Sequence, residues 1–165
     1  MSGIVVFSFA LRSEEEEPNP CNKRLALAAE RVIASQGSGA TVVAQWEVAR
    51  KLEPDGYALN HVVNLPADGS YLDSEGVWAE AREVFRQNGV KIVYPIAQPF
   101  LQMTKVRKMI EKDGFTVMKS KIGIAEIGFD KESTQWWTRG SVRLFTYGVL
   151  QLRYGLWGNK GRQVA

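Results

Sequence analysis

The sequence predicts a three-layer α/β fold, a mainly parallel five-stranded sheet with helices on both faces. Three observations carry this. Strand-length apolar runs alternate with segments of helical period about four times along the chain. The connections between them are short, which favours right-handed crossovers and parallel neighbours. The first run, Ile4-Val5-Val6-Phe7-Ser8-Phe9, is apolar almost without interruption, as a strand buried on both faces should be.

The elements follow in order. After the first strand, residues 12–20 hold four consecutive glutamates and two prolines. Like charges repel and proline cannot continue a ladder, so this stretch is a solvated loop, or a lid over what lies beyond the strand. A helix runs from about Asn22 to Gln36, with Leu25, Ala29 and Val32 on one face and Gly37 as its stop. Ala40 to Gln45 is the second strand, Trp46 to Leu52 a short helix ending before Pro54, and His61 to Leu65 the third strand. Ser70 to Asp73 has the spacing of a capping box, with Asp73 as the alternative cap. Val77, Ala81, Val84 and Phe85 then repeat at helical spacing as far as Gly89. Lys91 to Ala97 is the fourth strand. Pro99 suits the first turn of the next helix, whose buried stripe is Phe100, Met103, Val106 and Ile110. A fifth strand starts at Phe115 to Met118 and extends at most to Lys121.

The last segment, residues 132–157, reads as a long aromatic-rich helix, weakened by Gly140, Gly148 and Gly155. Val142, Phe145, Val149, Leu152 and Leu156 form one apolar stripe, while Arg139, Arg143, Thr146 and Arg153 leave only a narrow polar one. A helix apolar over most of its circumference is buried or meets a partner. Docking on the sheet is the first expectation; a homodimer contact and a membrane surface are the others.

Composition bounds the function. The chain has 165 residues, 45% hydrophobic and 24% charged, which fits one globular domain and excludes wholesale disorder. At this size roughly two thirds of the unfolded surface can be buried, so no staple is needed. The single Cys21 cannot form an internal disulfide, and no Cys/His set has zinc spacing. A net charge of +3 permits an anionic ligand but is far from a nucleic-acid footprint. Neither an apolar run of membrane-spanning length nor a signal peptide is read, so the expected location is the cytoplasm.

In an open parallel sheet, ligands bind beyond the carboxyl ends of the strands, near the switch in strand order. The residues to inspect are therefore Ser8 and the turn to Ala10, Gln45, the stretch 67–73, and Gln98. Neither G-x-G-x-x-G nor the P-loop motif occurs, so the ordinary phosphate cradles are missing. Gln98, Gln102 and Lys105 fall at i, i+4 and i+7 and could hold a carboxylate or phosphate; otherwise they are a solvated face. Ser70, Asp73 and Glu75 either cap a helix or bind hydroxyl or amine groups, and Glu75 is the one candidate general acid or base. Arg24 points at the crevice or pairs with the glutamates. His61 lies at the wrong end of its strand for catalysis, and no G-x-S-x-G elbow is present.

The order of parts resembles the YdcF/SanA-like domain family of bacteria. The matching pieces are Ile4 to Ala10 for the family's first strand and turn, without its glycines, and Arg24-Leu25 for its Arg-Leu pair. Ser70-Tyr71-Leu72-Asp73-Ser74-Glu75 keeps the serine and glutamate of Ser-x-Asn-Thr-x-Glu. The stretch from Gln98 to Lys105 falls where the family has Thr-Ser-x-Tyr-His-x-x-Arg, with Gln102 for the histidine and Lys105 for the arginine. These exchanges keep hydrogen bonding and positive charge but lose the titratable ring and the two-pronged guanidinium. The resemblance implies a Rossmann-like fold and a crevice for a small polar or nucleotide-like ligand, S-adenosylmethionine among them, with no settled reaction.

The expectation is thus a protein that binds a small anionic or nucleotide-like molecule through Ser8, Ala10, Arg24, Gln45, Ser70, Glu75, Gln98, Gln102 and Lys105. A non-catalytic assembly role through the terminal helix is the alternative. An enzyme such as a methyltransferase lacks a clear base, and nucleic-acid binding is disfavoured.

Overall fold

The computed structural model describes residues 1–12, 18–67, 72–119 and 123–154. Five parallel strands lie in the order β3-β2-β1-β4-β5. They are β1 (Ser2–Val6), β2 (Thr41–Gln45), β3 (His61–Val63), β4 (Ile92–Ile96) and β5 (Thr116–Val117). The helices are α1 (Pro20–Gln36), α2 (Trp46–Leu52), α3 (Ser74–Gln87), α4 (Leu101–Lys112), α5 (Ile124–Ile127) and α6 (Ser141–Tyr154), with a 3₁₀ turn at Trp136–Arg139. This is the three-layer, Rossmann-like arrangement. The order reverses between β1 and β4, which makes the gap beyond their carboxyl ends the switch point.

The two-residue period of β1 sorts its side chains into two cores. Ile4 and Val6 pack with Leu25, Ala29, Val48 and Leu52 of α1 and α2. Val5 and Phe7 pack with Val77, Ala81, Phe85, Val106 and Ile110 of α3 and α4. Ile4 through Phe7 are fully buried, so the central strand sees no water on either side. Gly3 is small for a reason: a Cβ there would lie 2.9 Å from Phe85 and Val90.

Several boundaries differ from the expectation. Helix α1 starts at Pro20, because the Asn19 side chain accepts from the Asn22 amide and proline at the first position needs no partner. The third strand stops at Val63 rather than Leu65, because its partner β2 ends at Gln45, opposite Val63. The fifth strand keeps only Thr116–Val117; Phe115 turns into the α3/α4 core, Met118 and Lys119 lie past the strand, and the rest of the extension to Lys121 falls outside the described residues. Helix α5 was not anticipated.

The largest correction concerns the C-terminal helix, which is short and begins at Ser141, not near residue 132. Between Asp130 and Arg139, side chains claim the backbone groups that a helix would use. Asp130 accepts from the Glu132 amide, Ser133 Oγ accepts from the Gln135 amide, and Thr138 Oγ1 donates to the Gln135 carbonyl. The helix is described as far as Tyr154, and the expected extension to Trp157 lies outside the described residues. Its orientation also differs. Leu144 and Gly148 face inward, with a Cβ at Gly148 only 3.1 Å from Leu101 of α4. Tyr147 stacks on Trp137 at 4.7 Å. Val142, Phe145 and Val149, the first three members of the apolar stripe, are 77%, 62% and 45% exposed.

Candidate functional site

The candidate site is a polar band across the carboxyl edge of the sheet. Strand β1 leaves the ladder at Phe7, whose amide still donates to the Ile96 carbonyl at 2.9 Å. Beyond it the backbone has no strand neighbour, and side chains take over. The Ser8 amide donates to Gln45 Oε1 at 3.0 Å. Gln102 Nε2 donates to the Ser8 carbonyl at 2.8 Å, while Gln102 Oε1 accepts from the Gln98 amide at 2.9 Å. Gln98 Oε1 in turn accepts from the Phe100 amide at 3.1 Å. On the other side, Gln45 Nε2 donates to Glu47 Oε1 at 3.3 Å. One hydrogen-bonded line therefore links the first turn of α2, the tips of β2, β1 and β4, and the entry to α4.

The line is dry. Gln45, Glu47 and Gln98 are 5%, 4% and 1% exposed. Burying an amide without a partner costs about 1–3 kcal/mol, so nearly every polar atom of such a band finds one. Gln98 Nε2 departs from this rule: it is buried and has no hydrogen-bond partner among the described residues. Since Gln98 Oε1 is held at the Phe100 amide, this nitrogen is fixed beside the N-terminus of α4. That helix starts without a side-chain cap; the Phe100 and Met103 amides donate to Gln98, which leaves the Leu101 and Gln102 amides and the dipole to an incoming group. By contrast, α3 is capped by Asp73, whose Oδ1 accepts from the Glu75 and Gly76 amides.

Three residues past Gln102 on α4, Lys105 Nζ pairs with Glu75 Oε1 of α3 at 3.1 Å. With side chains 31% and 57% exposed, this pair adds little to stability. It places one cation and one carboxylate beside α4.

The turn after β1 is shaped by two buried asparagines. Phe9 donates to Asn22 Oδ1 at 2.8 Å, and the Ala10 carbonyl accepts from Asn19 Nδ2 at 3.0 Å. Ala10 has φ 69°, in the left-handed region that favours glycine. The turn thus takes a glycine-like bend at an alanine. Further along, Leu11 and Arg12 are tied to the segment before α6. The Leu11 carbonyl accepts from Ser133 Oγ and from the Thr134 amide and hydroxyl. Arg12 makes two 2.7 Å bonds to the buried Asp130 carboxylate. That guanidinium holds the Asp130 carboxyl below the usual range, against the opposing effect of burial.

The sequence-derived residues are thus only partly gathered. Ser8, Gln45, Gln98 and Gln102 share one network, and Glu75 and Lys105 pair beside it. Arg24 does not join them; its Nη1 donates to the Ile127 carbonyl at 3.1 Å, next to Gly128. Ser70 lies outside the described residues, so the capping box it anchored gives way to the Asp73 cap. Asn19, Asn22 and Glu47 were missed. The first had a readable signal, an asparagine directly before a proline that opens a helix. Glu47 had none, because a charged residue early in a short helix normally faces water. His61 pairs with Glu80 at 2.8 Å on the surface, away from the band. Among the described residues there is no group of three or more metal-ligating side chains and no helix long and apolar enough to cross a membrane. A separate pocket of about 170 Å³, lined by Arg86, Lys91, Asp113 and Phe115, opens at the amino ends of β4 and β5, the wrong end of the sheet for this chemistry.

Comparison with known proteins finds no matching family model, no matching curated protein and no matching solved structure. What defines the class of the molecule is therefore its fold and this site: a Rossmann-like α/β protein with a buried amide band at its switch point.

Proposed function

We propose that this protein binds a small anionic or nucleotide-like molecule at the carboxyl ends of β1 and β4. The observation that carries the reading is Gln98: a buried amide with an unused donor, beside the uncapped start of α4. An anion there would receive the Gln98 side-chain amide, the Leu101 and Gln102 backbone amides and the positive end of the α4 dipole, and Lys105 would supply the counter-charge. The Ser8 hydroxyl takes no part in the bonds of the band and is available for a further contact. Glu75 would accept from a hydroxyl or amine of the ligand. Nothing in the band favours a particular reaction, so the proposal is one of binding. Residence in the cytoplasm, a distant YdcF/SanA-like kinship and S-adenosylmethionine as one ligand to try belong to the same proposal.

The test is a thermal-shift panel of nucleotides, S-adenosylmethionine analogues and small phosphates and carboxylates on wild type, Lys105→Ala and Glu75→Ala. A ligand present at about a hundred times its Kd should stabilise the wild type by about 2.7 kcal/mol, and Lys105→Ala should shrink that shift. If no member of the panel raises the melting temperature of the wild type, the binding reading falls.

A further inference from the structure

We infer that the outer face of α6 is a docking surface for an anionic lipid bilayer. Val142, Phe145 and Val149 recur at i, i+3 and i+7 and point outward at 77%, 62% and 45% exposure, so three apolar side chains stand in one row with water over them. The helix has no need of them for its own packing, which uses Leu144, Tyr147 and Gly148. Arg143 and Arg153 are exposed on the same short helix, and Arg139 is exposed in the turn before it. Charge selects the occupant. From Ser133 to Ala165 the chain carries Arg139, Arg143, Arg153, Lys160 and Arg162 and no aspartate or glutamate. A second copy laid on this face would bring the arginines of one α6 against those of the other. An anionic headgroup layer accepts both features: the apolar row enters the acyl boundary while the arginine stems reach up to the phosphates. This surface does not depend on the ligand reading above.

The experiment is co-sedimentation of the full chain with vesicles of phosphatidylcholine alone and with added phosphatidylglycerol. Binding is expected to the anionic vesicles, to weaken steeply between low and high salt, and to fall at least tenfold in Phe145→Glu/Val149→Glu. The milder Arg143→Gln/Arg153→Gln should cost about fivefold per arginine. Leu65→Glu, an exposed apolar position on another part of the fold, should bind like the wild type. Unchanged melting temperatures confirm that the variants fold. Absence of binding to anionic vesicles at low salt overturns the inference. So does equal binding to both vesicle types, or a dimer in sedimentation velocity that Phe145→Glu/Val149→Glu disperses.

Discussion

Replacing Gln98 by methionine should stabilise the protein while weakening its ligand binding. The side chain is 1% exposed, and its Nε2 has no partner among the described residues. Removing one buried unsatisfied donor returns about 1–3 kcal/mol. The same change removes Oε1 from the Phe100 amide, worth about 1 kcal/mol, but that amide keeps the Gln98 backbone carbonyl at 2.9 Å. Methionine has nearly the same length and no polar atom to strand, so little cavity cost is added. The balance is a gain of about 1 kcal/mol, or roughly 2–4 °C in melting temperature for a chain of this size. Urea denaturation followed by circular dichroism measures the first effect, and the ligand-induced thermal shift measures the second. A polar group kept at a cost to stability, whose removal costs binding, is the signature of a ligand contact. Should Gln98→Met instead destabilise by more than about 1 kcal/mol, the amide is satisfied in the folded protein and the argument for an open donor is refuted.

Two further predictions concern the loops around the band. Asp130→Asn should cost about 2 kcal/mol at pH 7, below the range for a fully buried pair because Arg12 retains some exposure. Because the Asp130 carboxyl is depressed when folded, its contribution is complete above the ordinary value of 3.8 and is lost as pH falls through the lower folded value. The gap between wild type and variant in urea should therefore close in acid, and a gap that persists there rejects the ion-pair account. Gly128→Ala should cost about 2–3 kcal/mol, since Gly128 has φ 67° and a Cβ would collide with the Arg24 guanidinium. A loss below about 1 kcal/mol would show that neither the left-handed φ nor the Arg24 contact resists a Cβ there.

The parallel sheet was legible because its strands are apolar on both faces and its helices are periodic; Ile4 to Phe7 alone identify a central strand. The tips were legible too, since polar residues directly after apolar runs can only be Ser8, Gln45 and Gln98. What the residues at these tips do was hidden. Gln102 could be placed on a polar helix edge, but its role as a bridge between Ser8 and Gln98 depends on a contact across 94 positions of sequence. The region from Asp130 to Arg139 misled for a related reason. The helix was read as starting near residue 132, yet Ser133, Thr138 and Asp130 spend the backbone's hydrogen bonds on local turns and on Leu11, a partner more than a hundred residues away. The stripe on α6 was visible, but periodicity gives a face and not its direction, and the small Gly148 proved the better surface to lay against Leu101.

The ties from Leu11 and Arg12 to Asp130, Ser133 and Thr134 have a consequence for how the chain matures during synthesis. All five strands are complete by Val117, and earlier residues already hold Ser8 to Ala10, yet Leu11 and Arg12 are fastened by residues made after all the strands. A nascent chain paused between these points would hold a finished sheet with an unfastened rim. The residues of the proposed ligand site, Ser8 to Lys105, are all made before these ties, which separates assembly of the site from its fastening in time.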